Sequence, residues 1–232
     1  MRLMLLTFLA SFCVTAQEYR QTISFAEALK PHLKKYNVQS DIAYENGDIA
    51  KGQAMFDSLV HNYLVGSRFQ AYNLKNISGG KVRLSKVKKP VFLLTYASWC
   101  VVNKGEIAAL NKLSRKYGKD VEFVVLFWDK KENVKKIGRK FGGKVKVCYA
   151  NEAYRNDVKI VSTLKHTLGF PTSYFLTSNL EVVDIKRGGA HVLPGSPYRE
   201  AFALNYNLFN DRIADFLIKK DLIQPQLADL PD

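Results

Sequence analysis

Cys100 is the residue of this chain best placed to do chemistry, and Asn103 is the residue that limits it. The cysteine stands in Trp99-Cys100-Val101-Val102-Asn103, between an apolar run, Val91 to Tyr96, and a helix-like run. A strand feeding directly into a helix puts Cys100 at the helix N-terminus, where unpaired backbone N–H groups and the helix dipole favour an anion. The thiolate is the nucleophilic form of cysteine, so the position predicts an accessible, functional thiol. Trp99 would shield one side of it and offer an apolar face to a polypeptide. A cysteine placed this way usually works with a second one three residues on, which attacks the mixed disulfide. That position is Asn103, whose amide can hydrogen-bond a thiolate but cannot attack a disulfide. The plain alternative is a small apolar residue filling space, the usual fate of a free cysteine.

Cys148 is the other candidate for closing a disulfide. It sits in Lys144-Val145-Lys146-Val147-Cys148-Tyr149, within a predicted strand. Bridging needs Cα atoms within about 7 Å, which a cysteine beyond a strand end and one in mid-strand rarely meet. Cys148 is therefore expected to be a buried space-filler. His32, His61, His166 and His191 are scattered and lack metal-ligand spacing, so no metal site is expected. His191 lies in Gly188-Gly189-Ala190-His191 and is expected to be an exposed loop residue. Asp129 follows a predicted strand and is read as a cap for the next helix. No Walker-type loop, Gly-x-Ser-x-Gly elbow or dinucleotide fingerprint is present.

The chain has 232 residues, 47% hydrophobic and 24% charged, an ordinary globular balance with room for a real core. Arg2, the apolar stretch Leu3 to Val14 and the exit Val14-Thr15-Ala16 describe a secretory signal peptide over residues 1–16. Its removal takes Cys13 away and leaves Cys100 and Cys148, which is not a disulfide scaffold. The product is expected to be exported: periplasmic in a Gram-negative cell, otherwise secreted. Arg2 is the only charge in the leader, so the formal charge of +14 falls to +13. The lysines crowd into Lys86-Val87-Lys88-Lys89, Lys112 to Lys119 and Lys130 to Lys146. A basic surface attracts polyanions. Export and the absence of zinc-finger spacing argue against nucleic acid, leaving an acidic protein or an anionic surface; the bland reading is a solvated, soluble surface.

The elements that must position Cys100 follow from periodicity. Ser24-Phe25-Ala26-Glu27 reads as a capping box, and Phe25, Leu29, Leu33 and Tyr36 recur at helical spacing, with Pro31 expected to bend the helix. Asn46-Gly47 marks a turn and Asp48 a second helix cap, ahead of Met55, Phe56, Leu59, Val60 and Tyr63. Residues 17–64 are thus a small helical segment. Phe69 to Leu74 and Lys81 to Leu84 suggest a hairpin. Val91 to Tyr96 and Val121 to Phe127 read as strands covered on both faces. Between and after them come helical stripes on Ile107, Leu110, Leu113 and Tyr117, and on Val134, Ile137 and Phe141 ending at Gly142-Gly143. A strand over Val145 to Tyr149, a helix from Val158 to Leu168, paired strands Ser173 to Leu176 and Val182 to Ile185, and a last amphipathic helix complete the order. The fold class is α/β: a central mixed sheet flanked by helices, with an N-terminal helical extension and a main domain over 65–232.

Three segments stand in a telling order: Val65-Gly66-Ser67-Arg68-Phe69, Tyr96-Ala97-Ser98-Trp99-Cys100, and Gly169-Phe170-Pro171-Thr172-Ser173-Tyr174-Phe175-Leu176. On these, from about Val65 to about Leu217, the chain resembles the thioredoxin-like TlpA/ResA group of exported thiol–disulfide oxidoreductases, part of the redoxin (AhpC/TSA-like) set. The resemblance implies a thioredoxin-like fold and no cofactor. It implies a cis bond at Pro171, facing Cys100 across a substrate groove where Phe170 and Thr172 offer backbone groups to an extended client. Glu106 falls where the group often has a glutamate, and Trp99, Asn103 and Glu106 become auxiliaries of Cys100. The departures are Asn103 for the resolving cysteine and Leu94 where thioredoxins carry a buried acid. The peroxiredoxin branch needs a proline and a threonine close before its cysteine; Thr95 is offset and Tyr96 to Trp99 contain neither. The implied activity is monothiol disulfide reduction or isomerisation on client polypeptides, with a small thiol or a partner redoxin as electron donor. The alternative is a degenerate module that binds polypeptide without turnover.

Overall fold

A computed structural model describes residues 23–100 and 103–223. The expected signal peptide, Cys13 included, lies outside the described residues. Two helices come first, α1 (Phe25–Glu45) and α2 (Ile49–Leu59), the latter running into a π-helical turn, Val60–Leu64. The capping box is formed, with Ser24 Oγ accepting from the Glu27 N–H and the Glu27 carboxylate reaching back to the Ser24 N–H. Asp48 caps α2 by accepting from the Lys51 N–H at 3.0 Å. Helix α1 continues through Pro31.

The sheet has seven strands: β1 (Asn73–Asn76), β2 (Lys81–Arg83), β3 (Val91–Tyr96), β4 (Glu122–Phe127), β5 (Val145–Tyr149), β6 (Thr172–Leu176) and β7 (Val182–Arg187), in spatial order β2-β1-β5-β4-β3-β6-β7. Strands β3, β4 and β5 are parallel; β1, β6 and the edges run against their neighbours. Helices α3 (Glu106–Tyr117) and α4 (Lys131–Gly138) connect the parallel strands. The segment before β6 is α5 (Val158–Ile160), a π-helical turn (Val161–Lys165) and α6 (His166–Leu168). Helix α7 (Tyr198–Ile223) closes the chain. No helix of the described residues is long and apolar enough to cross a membrane.

Side-chain alternation sorts each central strand between two cores. Leu93, Val124, Leu126, Cys148 and Tyr174 face one, with α1, α2 and the segment 158–168. Phe92, Leu94, Phe123, Val125 and Phe175 face the other, with α3, α4 and α7. All six residues of β3 are buried as a result, which is why the run Val91 to Tyr96 shows no polar alternation. The N-terminal helices share the first core with the sheet rather than forming one of their own.

Two boundaries differ from expectation. The first strand begins at Asn73, not Phe69. Phe69 is instead buried in the first core and its N–H donates to Leu180 O at 2.7 Å, drawing this stretch away from the hairpin. Helix α4 ends at Gly138 rather than at the glycine pair, so Phe141 leaves the helix and sets its ring against Phe127.

Candidate active site at the C-terminal end of β3

Strand β3 is followed by a tight turn, Ala97 to Cys100, closed by the Cys100 N–H donating to Ala97 O at 2.9 Å. The turn is fastened from the next strand. The Trp128 N–H bonds Tyr96 O at 2.8 Å, which extends the β3–β4 pairing and brings Asp129 level with Ser98. The buried Asp129 carboxylate accepts from the Ser98 N–H at 2.6 Å and from Ser98 Oγ at 2.7 Å. Asp129 is therefore not a helix cap. Helix α4 begins behind Lys130 with no side-chain cap, and the carboxylate shapes the Cys100 turn instead.

Cys100 is half-buried and packs against the second core, while Trp99 is 73% exposed. The helix expected to start at Cys100 starts later. Helix α3 begins at Glu106 behind Gly105, whose φ of 84° is left-handed. A Cβ on Gly105 would meet the Phe202 backbone at 2.7 Å, so only glycine lets α7 approach this closely. Cys100 is thus a turn residue, and the first turn of α3 belongs to Glu106.

The 169–172 loop lies beside this turn and carries the cis bond that the resemblance implies. Gly169, with φ 71°, ends α6, and the Phe170–Pro171 bond is cis. The Phe170 ring meets Trp99 edge-on at 5.5 Å, joining the cis-proline loop to the Cys100 turn. Thr172 departs from expectation. It is buried; its N–H donates to Thr95 Oγ1 and its carbonyl accepts from that hydroxyl, both at 3.2 Å. Its backbone therefore braces β3 against β6 and is not offered to a client.

Asn103 and Glu106 are joined to each other and to the surrounding loops. The Asn103 amide donates to Ala190 O at 2.7 Å, so this side chain is tied to the loop after β7. Its N–H donates to Glu106 Oε2 at 3.1 Å. Glu106 is 2% exposed and also accepts from the Tyr96 hydroxyl. Burial pushes its carboxyl up to about 7, against the opposing pull of the Asn103 N–H and the Arg212 guanidinium. Arg212, on α7, donates to Gly188 O at 2.9 Å and Arg187 O at 3.3 Å, pinning the same loop from the far side.

Sequence reasoning missed Arg212 and misassigned Asp129. Arg212 had a signal: it sits on the buried stripe of α7 beside Phe209, Ile213 and Phe216, where a charge needs partners. Cys148 is a free, fully buried cysteine in the first core, whereas Cys100 packs against the second; burial pushes the Cys148 thiol up to about 12. Leu94 is a core residue and His191 is exposed.

The model of the AhpC/TSA family matches residues 65–183 of this chain. A thioredoxin-like protein of Bacillus subtilis, YneN, is 27% identical over 124 residues, which cover 53% of this chain and 71% of that protein. Among solved structures, StoA from Bacillus subtilis is 17% identical with a TM-score of 0.40, covering 50% of this chain and 87% of that one. A putative thiol:disulfide interchange protein DsbE from Chlorobium tepidum is 22% identical with a TM-score of 0.45, covering 62% of this chain and 92% of that one.

Proposed function

The chain belongs to the AhpC/TSA family, and from that premise we propose that it is an exported monothiol disulfide reductase or isomerase working through Cys100. Residues 1–16 are its leader, 17–64 an N-terminal segment that serves as a cap or a dimer surface, and 65–232 its thioredoxin-like domain. The observation that carries the reading is the meeting of two loops from distant parts of the chain. The half-buried thiol and the exposed Trp99 stand at one end of the sheet, and the Trp99 ring touches Phe170 of the cis-proline loop.

The Cys100 thiolate attacks one sulfur of a client disulfide. A Cys100–client S–S bond forms, the client S–S bond breaks, and the electron pair leaves on the client's second sulfur, which takes a proton. Asn103 supplies no thiol to finish the cycle. In isomerisation the client's own thiol attacks the client sulfur of the mixed disulfide and Cys100 leaves as thiolate. In reduction a donor thiol attacks Cys100 Sγ, and the client sulfur leaves and takes a proton. A second donor thiol, from another small-thiol molecule or from the partner redoxin itself, then attacks the donor sulfur and releases Cys100 as thiolate, the two donor thiols ending as a disulfide. Phe170 and Trp99 receive the client as an apolar rim. Asp129 and Glu106 hold the turn and the loop that follows it.

The test is exchange with a model mixed disulfide by the mature protein. Wild type turns over with a thiol donor and Cys100→Ser does not. A wild-type thiol inert to both the disulfide and alkylation at neutral pH would falsify the enzymatic reading. The Asn103–Ala190 bond favours a second reading, because it makes a structural tie of the resolving position. On that reading the groove holds polypeptide without turnover, and Cys100→Ser keeps its client in a pull-down while wild type shows no exchange.

A further inference from the structure

The basic character of this chain has a location that the thiol chemistry does not use. Strands β3, β4 and β5 are parallel, so their first residues share the end of the sheet opposite the Cys100 turn. Beneath that end, between the β1–β2 hairpin and the segment leading into β3, lies a cleft of ≈ 420 Å³. Lys81, Arg83, Lys86, Lys88, Lys89 and Lys146 line it, with Glu122 as its one carboxylate. Lys89 pairs with Glu122 at 3.7 Å. Among the described residues the other five make no ion pair, and all five are exposed. The connections entering β4 and β5 add the exposed Lys119, Lys140 and Lys144 at the same end, against Asp120. On the far side of this end stand two acids, Glu181 in the β6–β7 turn and Glu27 in the first turn of α1.

We propose that this end of the molecule docks on the headgroup layer of a bilayer rich in anionic phospholipid, with the Cys100 end turned away from it. Three observations select that occupant. The charges are mostly lysine, a compact hydrated point charge suited to a diffuse anionic surface rather than to one bidentate partner. No large apolar side chain lining the cleft is exposed, so the buried anchor on which a specific protein interface turns is missing. No aromatic lines it either, so a nucleic-acid strand finds nothing to stack on. A group of four to eight Lys or Arg side chains on one surface is the usual composition of an anionic-lipid contact. Placement on the opposite end leaves the Trp99–Phe170 rim open to clients while the protein is held at a surface.

The experiment is co-sedimentation of the full mature chain with vesicles of phosphatidylcholine containing about one-third phosphatidylglycerol, at about 0.1 M salt. Binding is expected, with none to phosphatidylcholine alone, and a loss of at least about tenfold when salt rises to about 0.5 M. The triple variant Lys86→Glu, Lys88→Glu, Lys146→Glu should weaken binding at least about tenfold. Lys104→Glu, Lys130→Glu, Lys131→Glu, a charge-matched triple at the thiol end, should change it less than about threefold. The salt titration of wild type stands if a variant misfolds. No binding to the anionic vesicles, equal losses in both triples, or capture only by heparin or an acidic polypeptide would each overturn the proposal. Failure of Cys100 exchange would leave it intact.

Discussion

The two cysteines of the described chain, one within β5 and one just past the end of β3, two places away in the same sheet, meet opposite conditions. Cys148 is within β5, covered by β1 and β4 and facing the core beneath the N-terminal helices. Cys100 lies just past the end of β3, in a turn held by Asp129, at the edge of the other core. Burial removes both water and access from the first; the end of the strand restores both to the second. On the proposed function, the reactivity of Cys100 would follow from where the strand stops.

The largest consequence is in alkylation. At neutral pH a small maleimide should modify Cys100 at least about a hundredfold faster than Cys148, whose thiol is held near 12 and shielded. Mass-mapped time courses check this, and comparable rates would erase the distinction. Next comes Glu106, whose carboxyl stays protonated in the folded chain up to about 7 and ionises near 4.5 when unfolded. Between those values the folded state binds more protons, so its stability is fully present below about 4.5 and falls as pH rises toward 7. Glu106→Gln should remove that slope, with a difference of up to about 3 kcal/mol at neutral pH, read from denaturation across the window. Parallel slopes in both proteins would place the titration elsewhere.

Asp129→Ala removes the acceptor of both Ser98 bonds. It should cost about 2 kcal/mol and slow Cys100 exchange about tenfold, with little change in the overall fold. An unchanged exchange rate would show that the turn holds itself. The smallest effect belongs to Cys148→Ser, which buries a hydroxyl among apolar neighbours at about 1–2 kcal/mol and leaves exchange within about twofold. A large loss of exchange there would make the buried thiol a participant.

Much of this was readable in the chain. The capping box at Ser24, the doubly covered runs of β3 and β4, and the helical stripe of α7 depend on local periodicity and on near neighbours, and each forms where that pattern places it. The start of α3 was not. Gly105 and the close approach of Phe202 accompany a helix that begins at Glu106, and that contact comes from a segment almost a hundred residues on. Asp129 reads as a cap because an acid before a helix usually is one; strand pairing brings Ser98 within reach first.

The sequence by itself determined the two-sided sheet, the cysteine just past a strand end and the asparagine three residues on, because residue type and spacing are enough for these. Only the tertiary structure decided which polar groups meet: Asp129 with Ser98, Asn103 with Ala190, Tyr96 with Glu106, and Arg212 with the loop after β7. Buried polar groups need partners, but composition does not say which ones. That choice is made when strands register and helices pack, bringing donors and acceptors from distant segments within hydrogen-bonding distance.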